Sequence, residues 1–283
     1  MDKELIIIMG PTAVGKTDYS IELAEKLDSP IISCDSRQIY KEMSIGTAVP
    51  SEEQLVRVKH YFIHSHSIHD YYTAGKYELE CIELLKKLFV NHDKLVMCGG
   101  SAMYINALCY GLDDFPEADP ELRAKLMKRL EDEGLEKLTN QLKEIDPISY
   151  EAVDLANWRR VVRALEVYYQ TGELFSDRKT KPNKKRDFDI KRLCLTRPRS
   201  ELYDRINIRV DMMIESGLFK EASALYKFRN LTALNTVGYK ELFEYMDGDI
   251  SLDRAIELIK RNSRRYAKKQ MTWWRLDQQI IIS

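Results

Sequence analysis

An apolar run followed by a glycine-rich segment near the amino terminus limits the folds open to this chain. The run is Ile-Ile-Ile-Met at residues 6–9, and the P-loop pattern G-x-x-x-x-G-K-T follows it as Gly10, Pro11, Thr12, Ala13, Val14, Gly15, Lys16 and Thr17. Such a loop surrounds an anion when a strand precedes it and a helix follows, and residues 18–27 have a helical pattern. We therefore predict an α/β core with Lys16 on distal phosphates and Thr17 on a magnesium ion. A glycine turn that binds nothing is the alternative.

Composition narrows the class of protein further. Hydrophobic residues make up 44% of the 283 residues and charged residues 31%, which is typical of a folded domain with or without an insertion. No run of about 18 apolar residues occurs, so we expect no membrane span, and residues 1–4 do not resemble a signal peptide. The five cysteines form no C-x-x-C pair, which indicates reduced thiols in a cytoplasmic protein.

Basic residues are unevenly distributed, although the net charge is only −1. Residues 178–192 contain eight Lys or Arg, and residues 254–275 contain another eight with Glu257 as the one acidic residue among them. Stripes of this kind suit the phosphate backbone of a nucleic acid, but a solvated helix face explains a single basic run equally well.

Polar residues follow the second apolar run, residues 30–34. They are Asp35, Ser36, Arg37 and Gln38, at the strand end where open α/β sheets bind ligands. Asp35 could act as a general base or hold magnesium through water, while an N-cap role is the alternative. A third strand is predicted over residues 94–101, and its end carries glycines but no Asp or Glu. The missing acidic residue disfavours an ordinary ATPase or GTPase.

Four histidines, His60, His64, His66 and His69, lie in a turn-rich segment over residues 41–75. The H-x-H spacing would place His64 and His66 on one face of a strand. No Cys or carboxylate completes a known ligand spacing, so we do not expect a metal there.

Helical patterns without a strand pattern extend over residues 115–187. Helices are predicted within 121–143, with a break at Gly134, and within 149–171, and residues 176–187 are predicted to be a loop. We therefore predict a helical insertion at residues 113–187 within a core formed by residues 1–112 and 188–283. The rest of the core is predicted to contain a strand at 189–196 and helices near 199–215, 218–227, 238–246 and 251–271.

Arginines on the later helices are candidates for binding phosphate. Arg205 and Arg209 lie four residues apart, on one helix face, where they could clamp a pyrophosphate; surface ion pairs with Glu201 or Asp204 are the alternative. Near the end of the chain, Trp273 and Trp274 could stack on nucleic acid or pack against the sheet.

Eight motifs occur in one order along the chain: G-P-T-A-V-G-K-T at 10–17, D-S-R-Q-I-Y at 35–40, I-G-T-A at 45–48, G-G-S-A-M-Y at 99–104, D-P-E-L-R at 119–123, R-A-L-E-V at 163–167, V-G-Y at 237–239 and K-K-Q-M-T-W at 268–273. Together they resemble the tRNA dimethylallyltransferases, also called tRNA isopentenyltransferases. The resemblance departs at Ser101, where Thr is more usual, and at residues 235–236, which replace a basic residue.

The resemblance implies a P-loop NTPase-like parallel sheet flanked by helices, with an all-helical insertion that contacts the tRNA anticodon arm. It implies transfer of a dimethylallyl group from dimethylallyl diphosphate to the N6 amine of the adenosine 3′-adjacent to the anticodon, in tRNAs that read codons beginning with U. The P-loop would hold the diphosphate with magnesium, Asp35 would accept the amine proton, and Thr17 and Arg209 would steady the departing pyrophosphate. We expect a cytoplasmic monomer without a membrane partner.

The resemblance also implies a tRNA surface. Its members are Asp35, Ser36, Arg37, Gln38, Ser101, Arg123, Arg159, Arg160, Val161, Val162, Arg163, Gly238, Tyr239, Lys240, Lys268, Lys269, Gln270, Trp273 and Arg275.

Three other functions remain open from the sequence. A small-molecule kinase with a P-loop would consume ATP and would not need the basic helices. A tRNA-binding protein that uses the loop only for regulation would not depend on Asp35. A relative that prenylates free adenosine phosphates would have no use for the long insertion.

Overall fold

The structure is a computed structural model that describes residues 3–180, 183–274 and 280–282. It divides into two compact units, Met1–Cys109 with Lys185–Ser283, here called the core unit, and Tyr110–Lys184, here called the insertion unit. Each boundary of the insertion unit lies three residues before the predicted position. The first and last residues of the insertion unit are neighbours, because the Lys184 amide donates a hydrogen bond to the Tyr110 carbonyl over 2.9 Å.

A parallel sheet organises the core unit. Within the described residues its strands are β1 (Glu4–Met9), β2 (Ile31–Ser33), β3 (His60–Tyr61), β4 (Lys94–Cys98), β5 (Asp189–Leu195) and β6 (Ile280–Ile282). Their order is β3-β2-β4-β1-β5-β6, and every pairing is parallel. Leu5, Ile7 and Ile8 of β1 are all 0% exposed, as expected of a strand that is covered on both faces. Because the strands are parallel, the segments that follow β1, β2 and β4 meet at one edge of the sheet.

The helices, in chain order, are α1 (Lys16–Leu27), α2 (Glu52–Arg57), α3 (Ala74–Leu88), α4 (Ala102–Tyr110), α5 (Pro120–Glu133), α6 (Leu135–Ile145), α7 (Pro147–Ala152), α8 (Trp158–Thr171), α9 (Phe175–Arg178), α10 (Arg199–Glu215), α11 (Leu218–Leu225), α12 (Tyr239–Met246) and α13 (Leu252–Trp274). Helices α5–α9 belong to the insertion unit. None of the helices in the described part of the chain has the length and apolar character needed to cross a membrane.

The helical layer at α10–α13 packs on the segment that follows β2. Val210 of α10, Tyr239 of α12 and Ile259 of α13 form one buried cluster with Ile39 and Met43. These five residues are each 3% exposed or less, so burial of the apolar faces of the helices drives this packing. The cluster fixes the polar residues 35–38 beside α10 and α13.

The insertion unit has its own apolar core. Leu126, Leu138, Leu142 and Leu165 are each at most 2% exposed and contact one another across α5, α6 and α8. Asp119 is the N-cap of α5, because its Oδ1 accepts hydrogen bonds from the amides of Glu121 (2.8 Å) and Leu122 (3.2 Å).

Buried polar groups tie the shorter segments of this unit together. Asp146, 1% exposed, accepts hydrogen bonds from the amides of Ser149 and Ser176, each over 2.9 Å. The Glu166 carboxylate, 0% exposed, lies 2.6 Å from the Arg163 guanidinium and 3.9 Å from that of Arg123. The two arginines therefore compensate a charge that burial would otherwise destabilise.

Several predicted segments differ in the structure. The helical run predicted over 149–171 is interrupted, because Val153 adopts an extended conformation that ends α7. The segment 176–187, predicted as a loop, begins inside α9. The H-x-H segment does not form the strand that would place His64 and His66 on one face, since His64 has φ +49° in the left-handed region. Strand β3 lies just before it and is only two residues long, too short to produce a sequence pattern.

A buried ion pair joins α3 to the chain that leaves the insertion unit. Arg186 donates to Glu78 Oε1 over 2.8 Å and to the carbonyls of Leu108 (2.7 Å) and Ala107 (2.9 Å). The side chains of Arg186 and Glu78 are 10% and 6% exposed. Loss of one partner would leave a buried charge without compensation.

We expect Glu78→Ala to lower the free energy of unfolding by about 3–5 kcal/mol, because Arg186 would stay buried without its carboxylate. The matched control is Glu83→Ala on the same helix, whose pair with Lys87 is exposed, and we expect it to leave the free energy of unfolding nearly unchanged. Chemical denaturation of both variants measures the difference. Equal losses would contradict this account of the pair.

Candidate active site

The P-loop forms a strained, concave backbone between β1 and α1. Gly10 has φ +144° and Gly15 has φ +109°, and Ala13 also adopts a positive φ of 64°. A Cβ at Gly10 would lie 2.6 Å from the Leu195 carbonyl oxygen, so only glycine permits this approach to β5. The loop amides and the first turn of α1 are the groups that bind anions in such a turn.

Lys16 folds back over the loop. Its Nζ donates to the carbonyls of Gly10 (3.0 Å) and Pro11 (2.8 Å). Burial lowers the pKa of Lys16, and the nearby Arg209 guanidinium lowers it further, while Asp35 acts in the opposite direction. Cationic groups crowded in this way favour a multiply charged anion.

Three arginines contact successive residues of the loop. Arg209 Nη1 donates to Thr12 Oγ1 over 3.3 Å, Arg205 Nε donates to the Ala13 carbonyl over 2.8 Å, and Arg197 Nε donates to the Val14 carbonyl over 2.8 Å. Burial lowers the pKa of Arg209, and the Asp35 carboxylate opposes that shift. The alternative to a clamp was a surface ion pair of Arg205 or Arg209 with Glu201 or Asp204. Glu201 instead pairs with Arg197 at 2.5 Å.

Asp35 follows β2 and caps the next turn. Its Oδ1 accepts hydrogen bonds from the amides of Arg37 (2.8 Å) and Gln38 (3.3 Å). The cap and a chemical role are compatible, because a carboxylate has a second oxygen and further lone pairs. The Ser36 amide donates to Ser101 Oγ over 2.8 Å, and that hydroxyl donates to Ser36 Oγ over 3.1 Å. Ser101 therefore holds the turn, and its expected contact with tRNA stays a prediction.

Two adjoining cavities of about 590 Å³ each meet at Asp35. The first, here called the P-loop cavity, is lined by Lys16, Thr17 and Arg205 among others. The second, here called the basic cavity, is lined by Arg37, Lys240, Arg265 and Lys269 among others. The residues that line both are Thr12, Asp35, Thr47, Arg209 and Tyr266. A carboxylate at this shared wall can reach ligands on either side.

Tyr266 is a wall residue that the sequence did not single out. Tyr266 is 45% exposed, and the partial burial of its hydroxyl together with the Asp35 charge raises the pKa of that hydroxyl to about 12, so it remains a hydrogen-bond donor at neutral pH. It precedes Gln270 by four residues on α13, and that spacing, which places both on one helix face, could have identified it.

Gln270 has a structural role that the sequence did not indicate. The Thr12 amide donates to Gln270 Oε1 over 2.9 Å, and Gln270 Nε2 donates to the Gly100 carbonyl over 3.0 Å. A Cβ at Gly100 would lie 2.4 Å from that Nε2. Gln270, 6% exposed, thus joins the P-loop to the segment after β4, and its contact with tRNA stays a prediction.

Three residues expected on the tRNA surface are corrections. Val161, Val162 and Tyr239 are each 0% exposed, so their side chains are buried and do not form part of an exposed surface. Similarity of a motif to a family does not indicate which residues of the segment are exposed and which are buried. The exposed members of these segments are Arg159, Arg160, Lys240, Lys268 and Lys269.

The other predicted residues have defined surroundings. Arg159 lies 4.4 Å above the Trp158 ring, and Trp273 stacks on the buried Trp274 with 5.5 Å between ring centroids. Gly238 has φ +100° immediately before α12. Arg275 lies outside the described residues.

Comparison with known proteins identifies the family. The family model for IPP transferases matches residues 38–277. A tRNA dimethylallyltransferase 1 of Phocaeicola vulgatus is 49% identical over 281 residues, which cover 99% of this chain and 94% of the relative. Another of that name, from Bacteroides fragilis, is 50% identical over 278 residues, which cover 98% of this chain and 92% of the relative.

Solved structures agree with the sequence relatives. A tRNA isopentenylpyrophosphate transferase of Bacillus halodurans has a TM-score of 0.72 and 36% identity, covering 99% of this chain and 89% of that one. A eukaryotic dimethylallyltransferase acting on tRNA has a TM-score of 0.81 and 28% identity, covering 96% of this chain and 70% of that one. The chain therefore belongs to the IPP transferase family, and the resemblance of its motifs to the tRNA dimethylallyltransferases is confirmed.

Proposed function

We propose that this protein transfers a dimethylallyl group from dimethylallyl diphosphate to the N6 amine of the adenosine 3′-adjacent to the anticodon, in tRNAs that read codons beginning with U. The products are N6-(dimethylallyl)adenosine and diphosphate. The observation that carries the proposal is the position of Asp35, at the wall between a cavity with an anion-binding loop and a cavity with basic side chains. Family membership supplies the reaction class.

The reaction needs groups that stabilise negative charge at the loop. The N6 nitrogen attacks the first carbon of the dimethylallyl group, a C–N bond forms, and the C–O bond breaks with its electron pair passing to the diphosphate. The negative charge that develops on the diphosphate is stabilised by the loop amides, Lys16, Thr17 and Arg209. Asp35 accepts the proton that N6 loses. These donors are already held in place, so little reorganisation is needed in the transition state.

Magnesium fits this site as an ion carried by the diphosphate. Thr17 lines the P-loop cavity at the first turn of α1, where its hydroxyl can join phosphate and water oxygens around the ion. No group of three or more His, Cys, Asp or Glu side chains suited to a metal exists in the described part of the chain. Bound there, the ion would neutralise charge on the leaving diphosphate.

The basic cavity and the exposed basic residues suit the tRNA backbone. Lys240, Lys268 and Lys269 are exposed in the core unit, and Arg159 and Arg160 are exposed in the insertion unit. We propose that the insertion unit grips the anticodon arm, and that this binding offsets the few kcal/mol needed to unstack the target base. We also propose that the enzyme acts as a monomer, and that it acts in the cytoplasm, where its tRNA substrate is found.

The direct test is incubation of the protein with labelled dimethylallyl diphosphate and unmodified tRNA, with ATP as the competing donor. We expect label in tRNA and release of diphosphate. Unlabelled tRNA together with phosphorylation of a metabolite by ATP would overturn the proposal in favour of a kinase.

For the role of Asp35, the sharpest variant is Asp35→Asn. Its amide oxygen can still accept from Arg37 and Gln38, so the turn is kept while the base is lost. We expect kcat to fall by about 10²–10⁴-fold, measured by single-turnover transfer, with tRNA affinity nearly unchanged. If Asp35→Asn retained its turnover whereas Asp35→Ala lost it, Asp35 would act as a cap and not as a base.

Arg205 and Arg209 form a matched pair for testing the clamp. Arg209 lines both cavities and contacts Thr12, whereas Arg205 is exposed and lines only the P-loop cavity. We therefore expect Arg209→Ala to lower kcat by about 10²-fold and Arg205→Ala by tenfold or less, roughly as for other lost donors to a developing anion. The opposite ranking would assign the clamp to Arg205.

A further inference from the structure

Glu221, near the start of α11, binds the backbone of residues 44–46, in a loop that lines both cavities. Its Oε2 accepts hydrogen bonds from the amides of Ser44 (3.0 Å) and Ile45 (2.9 Å), and its Oε1 accepts from the amide of Gly46 (3.0 Å). The Tyr239 hydroxyl donates to the same Oε1 over 2.6 Å. One half-buried carboxylate thus receives four donors, three of them consecutive backbone amides.

The loop lies flat against Tyr239. A Cβ at Gly46 would lie 2.5 Å from the Tyr239 ring, so glycine is required for this approach. Burial and the Glu221 charge raise the pKa of the Tyr239 hydroxyl, which therefore stays protonated as a donor. The buried ring and the carboxylate together fix the position of residues 44–46.

A continuous series of hydrogen bonds leads from this loop to Asp35. The carbonyls of Thr47 and Ala48 accept from Gln38 Nε2 over 3.2 and 2.9 Å. The Gln38 amide in turn donates to Asp35 Oδ1 over 3.3 Å. Ala48 has φ +50°, a conformation that its surroundings must hold in place. Displacement of residues 44–48 would therefore move Gln38 and the turn that Asp35 caps.

On the basis of the proposed function, we propose that Glu221 is a positioning residue for prenyl transfer. It lines neither cavity and does not touch the reacting groups. It holds residues 44–48 so that Thr47, Gln38 and Asp35 keep their geometry. A displacement of about 1 Å at such a site can cost 10²-fold in rate, so this anchor affects catalysis more than binding.

The chemistry of a carboxylate makes the test specific. Glu221→Gln has nearly the same shape, but one oxygen becomes an NH₂ group that faces backbone N–H donors or the Tyr239 hydroxyl. At least one of the four hydrogen bonds is then lost, and a donor meets a donor.

A matched control exists in Glu42. Its carboxylate also holds a loop, accepting from Ser67 Oγ (2.7 Å) and from the Ile68 amide (3.0 Å), but Ser67 and Ile68 line neither cavity. Glu42→Gln therefore measures the general cost of weakening a loop anchor, separate from any effect on the site.

The experiment measures kcat, KM for dimethylallyl diphosphate and KM for tRNA in both variants, with the thermal midpoint of unfolding. We expect Glu221→Gln to lower kcat by about 10- to 100-fold, with each KM changed by less than about threefold. Glu42→Gln should keep kcat within about twofold at a similar loss of thermal stability. Equal effects of the two variants on kcat, or an unchanged kcat in Glu221→Gln, would overturn the inference.

A double variant tests whether Glu221 acts through Gln38. If it does, adding Glu221→Gln to Gln38→Ala should reduce kcat by less than about threefold beyond Gln38→Ala alone. Independent, multiplicative losses would overturn that route. An inactive wild-type protein would instead overturn the proposed function, and this inference with it, so the two failures are distinguishable.

Discussion

The close approach of the Gly10 backbone to the end of β5 is the constraint on which the rest of the site depends. The 2.6 Å between a hypothetical Cβ at Gly10 and the Leu195 carbonyl oxygen leaves no room for any other residue. Because β1 pairs in parallel with both β4 and β5, the loop that follows it is braced on two sides. The amides of this loop are thereby held in place by the centre of the sheet, and Asp35 lies at the same edge.

Single polar side chains from the helical layer hold the irregular segments of the site. Gln270 of α13 joins the P-loop to Gly100, and Glu221 of α11 holds residues 44–46. The backbone hydrogen bonds within these segments are turn bonds, such as those from the Ala48 amide to the Ile45 carbonyl and from the Val49 amide to the Ser44 carbonyl. The side-chain contacts pair further backbone groups that a sheet or helix would otherwise satisfy. Helix α13, which carries the exposed Lys268 and Lys269, thus also contributes to the geometry of the P-loop.

The sequence predicted the parallel core, the P-loop and the Arg205–Arg209 face well, because strand runs, glycine spacing and helical period are local properties. The roles of Gln270 and Glu221 could not be predicted. Glu221 lies 175 residues from its partner Gly46, and nothing in the intervening sequence encodes that pairing. The buried state of Val161, Val162 and Tyr239 was missed for the same reason, since burial is decided by the neighbours that folding brings together.

The bond between the Lys184 amide and the Tyr110 carbonyl has a consequence for how this architecture can evolve. The chain leaves and re-enters the core unit at adjacent points. For the core unit, the insertion unit is therefore equivalent to a closed loop. Each doubling of the length of such a loop costs only about 0.6 kcal/mol in chain entropy. The insertion unit could therefore be shortened, lengthened or replaced by recombination without any change in the sheet.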